Sequence, residues 1–302
     1  MAQTSLRGVI AAIATPVDAA GAPDHERFLK LARFLLGNGC DGLNVLGTTG
    51  EATSFTAEQR MGLMSTIAEA GLPLNRLMVG TGAAAVGDAV RITRHAAELG
   101  FAGALVLPPF YYKGISGDGV IRYLEAIVRG SATPAIPIYL YHFPALSGVP
   151  YDLELIRRIL NAFGERIAGL KDSSGDLPYA RAATEVKPGF SVFPSNEATL
   201  LEARQGAFAG CISATANLNA DLCGRAFHQG DEAALATAVS IRQLFDGLPL
   251  VAGVKALLAH IHEDASLAEV LPPLVPLPPN TAQTIATKYE SLRQRVAQLQ
   301  PA

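Results

Sequence analysis

One lysine stands apart in this 302-residue chain. Lys171 closes the run Ile167-Ala168-Gly169-Leu170-Lys171, which reads as a short buried strand, and the polar stretch Asp172-Ser173-Ser174-Gly175-Asp176 follows directly. The other lysines fall in polar or turn contexts (Lys30, Lys113, Lys187, Lys288) or, like Lys255, within a helical pattern. An amine withdrawn from water tends toward its neutral, nucleophilic form, and that form attacks a carbonyl carbon to give an imine. The plainer alternative is a strand-end lysine that only carries its ammonium to solvent.

Other polar residues fall at similar places. Gly47-Thr48-Thr49-Gly50-Glu51 follows an apolar run and precedes a helix beginning near Thr56. Small residues let this backbone turn tightly, so its amides and two hydroxyls can hold a carboxylate, or Thr48 and Thr49 can bond their own backbone. Tyr141 is the last residue of another run before Phe143-Pro144. A phenol there can move protons or simply fill core. By the two-residue strand period Tyr139 and Tyr141 share a face and His142 points away from it. That makes His142 structural or lining. Thr15, Thr81, Phe110 with Tyr111, Ser195 through Glu197, and Ser213 also trail apolar runs.

Eight such runs are strand candidates: 8–14, 43–46, 77–80, 104–107, 136–141, 167–170, 190–193 and 210–213. Each is continuously apolar, as parallel strands covered on both faces are. Between them, 24–36, 57–70, 86–99 and 153–163 carry apolar residues at helical spacing. Alternation of this count predicts an α/β fold, an eight-stranded (β/α) TIM barrel, with a doubly wound open sheet as the alternative. In a barrel the polar residues above converge at the C-terminal strand ends; in an open sheet they spread along an edge. Beyond about residue 225 the pattern is helical, which gives a barrel over 1–225 and a C-terminal helical module over 226–302. The proline-rich stretch 271–279 reads as a rigid surface linker between helices. Val79-Gly80-Thr81-Gly82 imitates a dinucleotide fingerprint, but it follows the third strand and lacks the later acidic residue, so it is assigned to close backbone packing.

A formal charge of −3 without a basic cluster gives no footprint for nucleic acid or anionic membrane. No segment reaches the roughly 18 apolar residues of a membrane span, and the apolar stretch 8–17 is too short and too weakly flanked for a signal peptide. Cys40, Cys211 and Cys223 are odd in number and far apart, which fits structural thiols in the cytoplasm. The six histidines show no metal-ligand spacing, so no metal is expected.

Taken together, Gly47-Thr48-Thr49-Gly50-Glu51, Tyr141 with Pro144 and Gly148, and Gly169-Leu170-Lys171 with Ser174-Gly175 resemble the dihydrodipicolinate synthase and N-acetylneuraminate lyase superfamily of class I pyruvate-dependent aldolases. The resemblance spans about residues 8–225. It implies that Lys171 forms the imine with a keto acid, that Thr48, Thr49 and Gly47 hold the keto-acid end, and that Tyr141 shuttles protons, with Thr49 also in the catalytic set. Tyr111, in Pro109-Phe110-Tyr111-Tyr112, matches the aromatic that crosses from a neighbouring subunit, which implies a homotetramer. No cofactor is implied beyond the covalent imine at Lys171.

Departures from the family pattern bear on the substrate. Leu146 stands where the lysine-pathway synthases carry an arginine for the aldehyde's carboxylate, and loss of such a contact costs about 2 to 5 kcal/mol. The stretch Pro144-Ala145-Leu146-Ser147-Gly148 is similar to the sialic-acid lyase form instead. Ser173 replaces that form's threonine, Asn196 its aspartate and Ala214 its serine, whereas Glu197 is retained. Ser173, Asn196 and Glu197 are therefore expected on the aldehyde side, and Ser213, at its strand end, among the substrate-binding residues. The expected activity is reversible cleavage of a 2-keto-3-deoxy sugar acid to pyruvate and an aldehyde. Its rivals are a dehydratase of the same superfamily, a dihydrodipicolinate synthase, and a non-catalytic pyruvate-binding regulatory protein.

Overall fold

The computed structural model describes residues 6–299, with side chains described through residue 295. Eight parallel strands are formed: β1 (Gly8–Ala12), β2 (Gly42–Val45), β3 (Leu77–Gly80), β4 (Gly103–Val106), β5 (Ile138–His142), β6 (Ile167–Asp172), β7 (Ser191–Pro194) and β8 (Gly210–Ser213). Each matches an expected run, with small shifts at the ends where hydrogen bonding to a neighbour decides the boundary. The strand order β7-β6-β5-β4-β3-β2-β1-β8 brings the last strand back to the first. The amide of Ala209, next to β8, donates to the Val192 carbonyl of β7 at 3.0 Å, so the barrel is nearly closed. This removes the open-sheet alternative.

Continuous burial follows from the two cores that each strand serves. Inside the barrel, Ile10, Met78, Leu105, Tyr139, Phe193 and Ile212 pack together. Outside it, residues of opposite parity, such as Val9, Leu43, Val45 and Leu140, pack under the helices. The helices His25–Gly37, Ala57–Glu69, Val86–Leu99 and Leu153–Phe163 form where the spacing predicts them. Asp24, Thr56 and Asp152 cap three of their N-termini by accepting from backbone amides.

The floor beneath Lys171 depends on two missing side chains. A Cβ on Gly169 would stand 2.1 Å from the Ser191 carbonyl oxygen and 2.9 Å from the Tyr139 ring, and one on Gly103 would stand 2.6 Å from the same ring. The ring of Tyr139 fills the space those glycines leave, one layer below Lys171 by the strand period.

After β8 the chain is helical in Ala216–Gln229, Glu232–Gln243, Leu250–Ile261 and Pro279–Leu299. The first of these runs through residue 225 and bends at Asn219, whose φ of −141° is not helical. No helix among the described residues is long and apolar enough to cross a membrane. The surface-linker reading of 271–279 holds, since most of the stretch is exposed, Val275 at 73%. The stretch connects helices, and Pro273, Leu274 and Val275 also wall the cavity that contains Lys171. Its start is anchored by the Leu271 amide, which donates to Glu51 Oε2 at 2.7 Å.

Candidate active site

β5 and β6 are neighbours, and their register sets Tyr141 opposite Lys171 with both side chains on the barrel's inner face. Lys171 is only 4% exposed. Its Nζ donates to the Tyr141 hydroxyl at 3.3 Å and lies 4.4 Å from the centre of that ring. The same hydroxyl is 3.1 Å from Thr48 Oγ1. An amine, a phenol and an alcohol therefore stand in line across the barrel mouth.

The turn that brings Thr48 to this line is bracketed by two left-handed residues, Leu46 (φ 52°) and Glu51 (φ 53°). For a residue with a Cβ this conformation costs about 1 to 3 kcal/mol, so surrounding contacts must hold it. One such contact lies at Gly80, where a Cβ would stand 2.1 Å from the Leu46 carbonyl. That close approach agrees with the packing role assigned to the glycines of 79–82. The amides of Thr48 and Thr49 donate to no protein acceptor among the described residues. The helix Ala57–Glu69, by contrast, is closed by its own Thr56 and Gln59. The anion-binding capacity thus belongs to the turn and not to the helix end.

Lys171, Tyr141, Thr48, Thr49 and Ser173 share one cavity of about 590 Å³, with Arg242 on the same wall. This volume is in the range that holds a small-molecule ligand. Leu146 is on its rim and 60% exposed. A smaller cavity of about 200 Å³ adjoins it across Tyr141 and includes Gly47.

Other expected site residues stand elsewhere. Asn196 uses its side-chain oxygen to accept from the Ala198 amide at 3.0 Å, which caps a turn. Glu197 is fully buried. Its Oε1 accepts from Ser213 Oγ at 2.5 Å and from Thr215 Oγ1, and its Oε2 accepts from Arg242 Nη1 at 3.2 Å. Glu197 and Ser213 therefore form a network that, among the described residues, joins the cavity only through Arg242. Tyr111 is 74% exposed, packs edge-to-face on Tyr112, and lies outside its own chain's cavity. His142 accepts from the Tyr151 amide through Nδ1 at 3.0 Å and stacks on Tyr179. Burial pulls its pKa down to about 4, so it is a neutral structural residue at pH 7. Burial likewise pushes the Cys40 thiol up to about 12 and raises those of Cys211 and Cys223, which leaves all three unreactive.

Two groups escaped the sequence reading. Arg242 comes from the helix Glu232–Gln243, where nothing local distinguishes it from a surface arginine. Lys255 did carry a signal, a lone charge in the apolar helix Leu250–Ile261. It is buried against Glu51 at 2.6 Å, each side chain being 1% exposed. Lys255 Nζ also donates to the Thr15 carbonyl at 3.0 Å. Burial lowers its pKa and Glu51 opposes that shift. The pair thus fastens the end of the Thr48 turn to a C-terminal helix. Lys255→Met is expected to destabilise the fold by about 3 to 5 kcal/mol, because it strands the Glu51 carboxylate without a counter-charge. A urea midpoint should fall accordingly, and Glu51→Gln/Lys255→Met should recover part of the loss. A midpoint equal to wild type would show the pair to be dispensable.

The profile of the dihydrodipicolinate synthetase family matches residues 5–291. An uncharacterised DapA-like lyase of Chloroflexus aurantiacus is 32% identical over 293 residues, covering 95% of this chain and 97% of its own. A probable 2-dehydro-3-deoxy-D-pentonate aldolase of Escherichia coli is 30% identical, with 81% of each chain covered. The crystal structure of dihydrodipicolinate synthase from Agrobacterium tumefaciens superposes with a TM-score of 0.88 at 27% identity, covering 94% of this chain and 99% of that one. A match along nearly the whole chain, on a barrel whose strand ends gather lysine, tyrosine and threonine, makes this protein a member of the dihydrodipicolinate synthetase family, whose members are pyruvate-dependent lyases and aldolases.

Proposed function

We propose that this protein is a class I aldolase that reversibly cleaves a 2-keto-3-deoxy sugar acid to pyruvate and an aldehyde. The observation that carries the reading is the line from Lys171 Nζ through the Tyr141 hydroxyl to Thr48 Oγ1 inside one cavity. The amine attacks the C2 carbonyl of the keto acid and water leaves, giving a protonated imine. The substrate carboxylate is held by the hydroxyls and free amides of Thr48 and Thr49. Tyr141 takes the proton from the C4 hydroxyl, the C3–C4 bond breaks, and its electron pair flows into the imine to leave an enamine while the aldehyde departs. Protonation at C3 and hydrolysis then release pyruvate and restore the lysine.

Tyr111 joins the proton relay of a neighbouring subunit in this reading, within a homotetramer. Its exposure, with that of Tyr112, supports such a use, since aromatic side chains are favoured at protein interfaces. The aldolase named among the relatives supports the choice of substrate class. A panel of 2-keto-3-deoxy acids tests it: pyruvate release in a coupled assay is the expected result. A dehydratase would instead lose water and keep every carbon, so a dehydrated product without pyruvate would overturn the aldolase reading.

A further inference from the structure

Among the described residues only two charged side chains stand on the wall of the large cavity, Lys171 and Arg242, and both are basic. No carboxylate faces them there. Glu197, the acid that pairs with Arg242, is not on the wall, and both its oxygens are already engaged. It grips the guanidinium through Nη1 alone, at 3.2 Å. Nη1 also approaches Ser213 Oγ at 3.5 Å, while Nε and Nη2 have no partner among the described residues. A guanidinium anchored by a buried carboxylate, with the rest of its fork unoccupied and the side chain 28% exposed, is built to take a planar or tetrahedral anion.

Pyruvate does not satisfy that group. On the reading above, its carboxylate goes to Thr48 and Thr49 and its carbonyl carbon to Lys171. We infer that Arg242 binds an anionic group, carboxylate or phosphate, carried by the aldehyde half, so that the substrate is a 2-keto-3-deoxy acid charged at both ends. This rests on the imine reading and specifies the substrate of the same site. It also revises what Leu146 implies. The segment Pro144–Ser147 offers no cation, but a different helix supplies one, so recognition of an acidic aldehyde is moved and not lost.

The test runs the condensation of pyruvate with glyceraldehyde as the neutral aldehyde, glyoxylate and succinic semialdehyde as carboxylates, and glyceraldehyde 3-phosphate as the phosphate. The wild type is expected to favour one anionic class over glyceraldehyde by roughly 10- to 100-fold in kcat/KM, the range that a charged hydrogen-bonded pair supplies. Which class wins identifies the anion. Arg242→Gln should collapse that preference by about the same factor, chiefly through KM for the aldehyde, and Arg242→Lys should restore part of it. Equal rates for charged and neutral aldehydes in the wild type would overturn the inference, as would a parallel loss for both in Arg242→Gln, which would mean that Arg242 only steadies Glu197. Borohydride trapping of pyruvate on the wild type is read separately. No adduct sinks the imine itself, whereas an adduct without charge preference sinks only the role of Arg242.

Discussion

Lys171→Ala is expected to bring turnover to background, a fall of roughly 10⁴-fold or more, because a covalent path has no partial substitute when its nucleophile is gone. The structure makes this a sharp test. Lys171 is one of two lysines buried in the chain, and the other, Lys255, is tied up by Glu51 and the Thr15 carbonyl. Wild-type protein reduced with borohydride in the presence of pyruvate should gain a pyruvyl mass on the peptide that contains Lys171, and the alanine variant should gain none. The fold should survive, since the side chain forms one hydrogen bond and rests on the floor made by Tyr139. An adduct on another residue, or turnover that persists in the variant, would end the proposed mechanism.

Tyr141→Phe should lower kcat by about 10² to 10⁴, the range for a positioned acid–base group, while the pyruvate adduct still forms on Lys171. The substitution keeps the ring that packs against Phe143 and deletes only the hydroxyl shared by Lys171 and Thr48. Single-turnover trapping separates imine formation from bond cleavage. If instead KM for pyruvate rises and kcat holds, the phenol binds substrate and moves no proton.

Much of the architecture is legible in the chain because parallel barrel strands are apolar on both faces, so runs such as 77–80 and 210–213 stand out with no tertiary knowledge. Lys171, Tyr141 and the 47–51 turn are legible for the same reason, being polar groups placed where apolar runs stop. The residues expected on the aldehyde side were less legible. Asn196, Glu197 and Ser213 sit where their positions foretell, but one caps a turn and the other two bond each other. A local pattern gives the end of the strand a residue occupies and not the partner its side chain finds. The proline-rich stretch is legible as an exposed connection between helices, since its composition fixes an extended backbone, but that composition says nothing of the cavity it also walls.

By itself, then, the order of residues determined the count of strands, the parity that sends Tyr141 and Lys171 inward, and the chemistry open to an amine beside a phenol. These follow from short-range rules, the two-residue strand period above all. Only the tertiary structure decided that Glu51 meets Lys255 across 204 positions and that Arg242 meets Glu197 across 45. Such pairings join segments whose separation carries no period, and they are selected by the need to neutralise a buried charge wherever the closed barrel leaves one.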